Sequence, residues 1–186
     1  MANSNYEERT MKSTKIFDGK VLQLRVDTVE MEGQKYTKRE IVERQPAVGI
    51  IAITEDDEII LIKQYRKAID KEIYEIPAGM VDFGEEPQKA ALRELKEETG
   101  YDAEKSEYLL ETYSSPGFTN EKLFIFYAGG LTEGAQDLDE FEHLSVVKVK
   151  FEEALKLISF GEITDSKSVA GILFYNNFRR KNGWDY

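Results

Sequence analysis

From Leu22 the chain alternates apolar and polar residues, with Leu22, Leu24 and Val26 set against Gln23, Arg25 and Asp27. A period of two predicts a half-buried strand, because successive side chains leave a strand on opposite faces. Glu32-Gly33-Gln34 supplies a turn and residues 36–43 read as the return, so this region predicts a charged antiparallel hairpin. The first dozen or so residues are polar and aperiodic, and are expected to fray. After Arg44-Gln45-Pro46 the pattern changes. Residues 47–53 are almost continuously apolar, break at the acidic turn Glu55-Asp56-Asp57-Glu58, and resume over residues 59–65. Runs of this kind suit strands covered on both faces.

The segment YEIPAGMVDFGEE leads into a helix with a clear start and stop. Pro87 suits the first helical position, residues 90–95 are good helix formers, and Gly100 suits a left-handed residue just past the end. Two further strands, EYLLETY and KLFIFYA, flank the turn-rich loop SSPGFTNE, and LSVVKVKF follows the long connection GGLTEGAQDLDEFEH. The C-terminal part reads as helical, over FEEALKLISF and over a segment capped by Asp165 that runs to Phe178. Many strands with two or three inserted helices predict an α+β protein, an α/β/α sandwich with a mixed central sheet plus the N-terminal antiparallel hairpin. The expected division is an N-terminal β region over 1–45 and a second domain over 46–186.

Composition narrows the chemistry. Lys and Arg number 25 against 36 Asp and Glu, a net charge of -11, which argues against binding nucleic acid or an anionic membrane. There is no cysteine and His143 is the single histidine, so disulfides, thiol nucleophiles and a histidine-rich zinc site are excluded. Any metal must be held mainly by oxygen, which points to magnesium or manganese. No leader-like or membrane-spanning apolar run occurs, and a cytoplasmic location is expected.

Some of the acid is concentrated where a helix would not choose it. Glu94, Glu97 and Glu98 are spaced i, i+3 and i+4, so their carboxylates leave one side of the predicted helix near its C-terminus. The partial negative charge there makes each acid unfavourable by a few tenths of a kcal/mol, and like-charged neighbours add similar amounts. A divalent cation reverses that sign, because three hard oxygen donors on a rigid scaffold are what it needs. Around the cluster stand Gly79, Glu85, Arg93-Glu94-Leu95, Glu97-Glu98 and Gly100, at the spacing Gx5Ex7REUxEExGU, with Tyr101 where a bulky aliphatic residue closes the pattern.

That pattern resembles the signature of the Nudix hydrolases. The resemblance implies a loop–helix–loop that binds divalent metal against the pyrophosphate of a nucleoside diphosphate linked to a group X. It makes Glu94, Glu97 and Glu98 metal ligands, with the backbone carbonyl of Ala78 as a further one, while Arg93 and Glu85 orient them. Pro116, sixteen positions after Gly100, is placed as in the ADP-ribose pyrophosphatase branch, and the segments REIVERQPAV, KQYRKAI and EIPAGMVDFGE look like that branch as well. By that resemblance Arg39 and Arg66 grip phosphate or terminal ribose, and Glu121 contacts the nucleotide. The acidic loop DLDEFEH then supplies Glu140 as general base and Glu142 as a carboxylate that approaches the metals. Glu97 and Arg93 belong to the same catalytic set.

The branch implies Mg2+-dependent hydrolysis of ADP-ribose to AMP and ribose 5-phosphate, with Mn2+ as a substitute ion. It also implies a homodimer with the N-terminal region at or across the interface. Other nucleoside diphosphate compounds (ADP-sugars, dinucleotides, NADH) remain alternative substrates. So does a sensor that binds ADP-ribose without turning it over, although such domains usually lose box carboxylates that this chain keeps.

Overall fold

The computed structural model describes residues 6–181. The larger of its two compact units is built around β4 (Ala47–Ala52), whose apolar run is divided between two cores. Ile51 packs with Ile59, Leu61, Ile125, Phe151 and Ile172, whereas Val48, Ile50 and Ala52 pack with Ile60, Ala90, Ala91, Leu95 and Phe126. A strand with both faces buried has no polar face to alternate with, which is why the run reads as continuous.

Two sheets carry these cores. One has the order β7 (Ala78–Met80), β4, β9 (Lys122–Glu133) and β8 (Tyr101–Tyr113). It is mixed, because β4 runs antiparallel to β7 and parallel to β9. The other, β10 (Leu144–Lys150), β5 (Glu58–Arg66) and β6 (Lys71–Glu75), is antiparallel. The helix α1 (Pro87–Thr99) packs its Ala90, Ala91 and Leu95 into one core. The other core takes Phe151 and Ala154 from α2 (Phe151–Ser159) and Ile172 and Tyr175 from α3 (Ser166–Lys181). Helices on both sides of the strands make the expected α/β/α sandwich. Among the described residues no helix is long and apolar enough to cross a membrane.

A separate compact unit comprises the chain up to Gln45 together with Tyr113–Glu121. Its sheet has the order β1 (Arg9–Asp18), β2 (Gln23–Met31) and β3 (Lys35–Glu43), antiparallel throughout. The loop at 113–121 joins it through a parallel bridge of Thr119 to Val42 and the bond from Val42 N–H to the Phe118 carbonyl, 2.8 Å.

Two expectations need correction. The fraying expected over the first dozen or so residues does not hold from Arg9 onward, where β1 (Arg9–Asp18) pairs from Arg9↔Glu30 to Asp18↔Gln23. All ten of its residues are exposed, so no burial pattern marks the strand and the ladder to β2 alone holds it. The lead-in to the helix also carries two short strands, β6 and β7, on either side of Ile76-Pro77, with Gly79 of β7 paired opposite Val48. β8 begins at Tyr101, directly after the helix stop, rather than at 107. Residues 1–5 of the expected frayed segment, and 182–186 of the second expected domain, lie outside the described residues.

Candidate active site

The acidic cluster sits on α1, and the helix begins and ends as its sequence predicts. Pro87 occupies the first turn, where a missing N–H costs nothing, and Gly100 closes the helix at φ +79° with its N–H on the Lys96 carbonyl, 2.8 Å. A side chain at Gly100 would also stand 2.6 Å from the Gly134 carbonyl. From this helix Glu98 turns inward, 3 % exposed, and its Oε2 accepts the Ala78 N–H at 2.8 Å. Glu94 lies against Gly79, where a Cβ would come within 1.9 Å of the carboxyl carbon. Glycine at 79 is therefore a condition for the position of the Glu94 carboxylate.

Arg93 organises the remaining acids. It donates Nε and Nη2 to Glu85 at 3.0 and 2.9 Å, Nη1 to Glu94 at 2.8 Å and to Glu97 at 3.0 Å, and Nη2 to the Met80 carbonyl at 3.0 Å. The fork bonding holds the Glu85 carboxyl below its ordinary range and raises the guanidinium above its own. Glu94 moves the other way, because burial outweighs its bond to Arg93 and the charges of Glu97 and Glu142 add to the rise. Glu98 is pushed up to about 8, first by burial and then by Glu142 and Glu94, against the opposing Ala78 N–H and Lys167. In the absence of a cation these carboxylates are more acid than the site can comfortably ionise.

Glu142 thus meets Glu94 and Glu98 electrostatically, although it lies more than forty positions along the chain. The loop that delivers it is tied to the end of the same helix. Gln136 donates Nε2 to the Glu98 carbonyl at 2.6 Å, and the Asp137 N–H reaches the Glu97 carbonyl at 2.9 Å, so two otherwise open C-terminal carbonyls are satisfied by the loop. Glu140 is exposed on this loop and Glu142 is half-buried. Sequence reading passed over Gln136, whose partner lies 38 positions away and leaves no local signal.

The other predicted contacts fall in both units. Arg66, at the end of β5, donates Nε and Nη2 to the buried Glu75, 2.5 and 2.8 Å. Arg39, Pro116 and Glu121 belong to the first unit. Arg39 forks onto Glu8 at 2.9 and 2.5 Å and lines a cavity of about 490 Å³ with Arg25, Tyr113, Pro116 and Phe118. Glu121 pairs with Arg44 at 2.7 Å and is nearly buried.

Among the described residues no three acidic or histidine side chains form a closed metal-binding group, and Arg93 engages both Glu94 and Glu97. The donor set nevertheless suits a hard divalent cation. It is all oxygen, it includes a buried carboxylate with a raised pKa, and a second carboxylate fills the space where a side chain at 79 would stand. Positive charge at this place would offset the burial, and then the repulsion between carboxylates, that lift Glu94 and Glu98.

Comparison with known proteins agrees with this geometry. A family model described as NUDIX domain matches residues 43–169. The chain is 44 % identical over 171 residues to the methanol dehydrogenase activator of Bacillus methanolicus, covering 91 % of this chain and 92 % of that protein. It is also 44 % identical over 170 residues to the ADP-ribose pyrophosphatase of Bacillus subtilis, with 90 % and 92 % covered. Identity to the ADP-ribose pyrophosphatase of Mycobacterium tuberculosis is 34 % over 176 residues, 93 % of this chain and 84 % of that one. A crystal structure of an ADP compounds hydrolase shares the fold, with a TM-score of 0.88 at 23 % identity over 98 % of this chain and 99 % of that one. With the signature on α1, the fold around it and relatives matched over most of their length, this chain belongs to the Nudix family.

Proposed function

We propose that the protein hydrolyses the pyrophosphate of ADP-ribose to AMP and ribose 5-phosphate in the cytoplasm, with Mg2+ as its ion and Mn2+ as a substitute. The observation that carries the reading is the buried Glu98 carboxylate, pinned by the Ala78 N–H, with Glu94 and the loop residue Glu142 close enough to raise its pKa. The choice of ADP-ribose draws on the two relatives of that name.

Glu94, Glu97, Glu98 and Glu142, with the Ala78 carbonyl, would hold the ion. When bound it neutralises phosphate oxygens and makes a coordinated water more acidic. The chain's own residues supply the rest. Arg93 sets the directions of Glu94 and Glu97 and is itself fixed by Glu85. Glu140, on the loop tied to α1, takes the proton of the attacking water at a carboxylate oxygen. As the water oxygen bonds to one phosphorus, the bond from that phosphorus to the bridging oxygen breaks and its electron pair leaves with the other phosphate. Two monophosphate esters result. Arg66, and in the first unit Arg39, Pro116 and Glu121, are proposed substrate contacts; a guanidinium fork suits phosphate oxygens.

We also propose a homodimer that uses the N-terminal region. The support is β1, which exposes every residue, including Met11, Ile16 and Phe17. A monomeric mass in solution at assay concentration, with full activity, would refute this part.

The test of the function is incubation with Mg2+ and ADP-ribose, ADP-mannose, GDP-mannose, diadenosine compounds and NADH, followed by identification of the products. Preferential release of AMP and ribose 5-phosphate from ADP-ribose is expected. Turnover of a different compound alone would change X, and tight ADP-ribose binding without turnover of any compound would make the protein a sensor.

A further inference from the structure

Apart from the carboxylate cluster, the second unit contains a buried ionic network that the steps above use only at its outer end. Glu75 closes β6 at 1 % exposure, and a carboxylate so buried needs charged partners. It has two. Arg66 occupies both of its oxygens, and Lys167 Nζ shares Oε2. Lys167 is itself only 11 % exposed and donates a second bond to Asp165 Oδ2 at 3.0 Å. The same Asp165 oxygen accepts the Ser168 N–H at 3.0 Å and the Ser168 hydroxyl at 2.6 Å, while Ser168 Oγ accepts the Ile76 N–H at 2.8 Å. The first turn of α3 therefore grips two consecutive residues of the segment that leads to Ala78: Glu75 through Lys167, and Ile76 through Ser168.

The network is one-sided. Arg66 commits Nε and Nη2 to Glu75, yet its side chain is 42 % exposed. A guanidinium clamped along one edge and open along the other is prepared to meet a phosphate without losing the entropy of ordering itself. Both Arg66 and Lys167 are near enough to Glu98 to interact with its charge, which places the network beside the carboxylate cluster. Stability alone is a poor reason for such a group, since a buried ion pair can often be replaced by apolar residues at no loss.

We propose that Lys167, held by Asp165, is a positioning residue that fixes Glu75 and through it aims the Arg66 guanidinium at the pyrophosphate. This rests on Arg66 contacting substrate, as in the function proposed above. The test is a double-mutant cycle with Lys167→Met and Arg66→Ala, read as KM and kcat separately, combined with NMR of the Arg66 Nε–H in the free protein. The signal is identified by its loss in Arg66→Ala. Lys167→Met should raise KM about tenfold with little change in kcat, and should add nothing in the Arg66→Ala background. It should also abolish the slowly exchanging Arg66 Nε–H. An unchanged KM, losses that multiply in the double variant, or an Arg66 Nε–H as protected as in the parent would overturn the proposal. If Lys167→Met does not fold, Glu75→Gln replaces it in both measurements, with the same expectations. If the protein hydrolyses a different nucleoside diphosphate compound, the cycle is run on that compound. If it hydrolyses none, the proposed function fails while the Nε–H measurement still decides the positioning.

Discussion

Replacing Glu98 by Gln separates the stability of the fold from the work of the site. The Glu98 carboxyl is 3 % exposed and its pKa is pushed up to about 8, against 4.5 for an ordinary glutamate. The folded protein therefore retains this proton between pH 4.5 and about 8, while the unfolded chain releases it. Release favours the unfolded chain, so the contribution of Glu98 is fully present below pH 4.5 and is lost as pH rises through about 8. With about 1.36 kcal/mol per pKa unit, the protein without metal should be less stable at pH 7 than at pH 4 by about 3 kcal/mol on this account alone. The raised pKa of Glu94 acts with the same sign. A glutamine keeps an acceptor for the Ala78 N–H and carries no charge, so Glu98→Gln removes the Glu98 term. Urea unfolding in EDTA across pH 5–8 should show the variant gaining on the parent as pH rises. Added Mg2+ should restore the parent at pH 8 and do much less for the variant, whose turnover falls by several orders of magnitude. A stability difference that stays constant from pH 5 to 8 would refute the reasoning.

Three further outcomes follow from the same geometry. Gly79→Ala places a carbon 1.9 Å from the Glu94 carboxyl carbon, so it should abolish most hydrolysis while circular dichroism shows the fold retained. Arg93→Lys cannot reproduce five donor contacts to three carboxylates and a carbonyl; kcat should drop by about a hundredfold or more, and a drop of less than about threefold would remove Arg93 from the organising role. Glu140→Gln should lower kcat and flatten the acid limb of its pH profile, whereas Glu142→Gln should raise the Mg2+ concentration needed for half-maximal activity. The opposite assignment of the two effects would exchange their roles.

The acidic helix was legible because everything that defines it is local. Proline, three carboxylates at i, i+3 and i+4, and the closing glycine fall within fifteen residues, and the backbone geometry of a helix converts that spacing into one face. The apolar runs at 47–53 and 59–65 were legible for the same reason. β1 was not, because a strand exposed at every position leaves no periodic trace. The tie between Lys167 and Glu75 spans 92 positions, and that between Gln136 and Glu98 spans 38; such partners are chosen by the packing of α3 and the acidic loop, which no window of sequence contains.

The bonds from Gln136 and Asp137 to the end of α1 make the acidic loop a leash anchored at both ends. From Asp137, fixed on the Glu97 carbonyl, to Leu144, paired with Gln64, the chain has only residues 138–143 in which to move. Glu142 is thus presented to Glu94 and Glu98 at a high effective concentration, as if by a short intramolecular linker. Doubling such an arc costs only about 0.6 kcal/mol in closure, a roughly threefold dilution of its carboxylates. Lengthening of this loop would therefore weaken the coupling of Glu142 to the cluster only gently, while cutting the tether at Gln136 would remove one of the two bonds that hold its start.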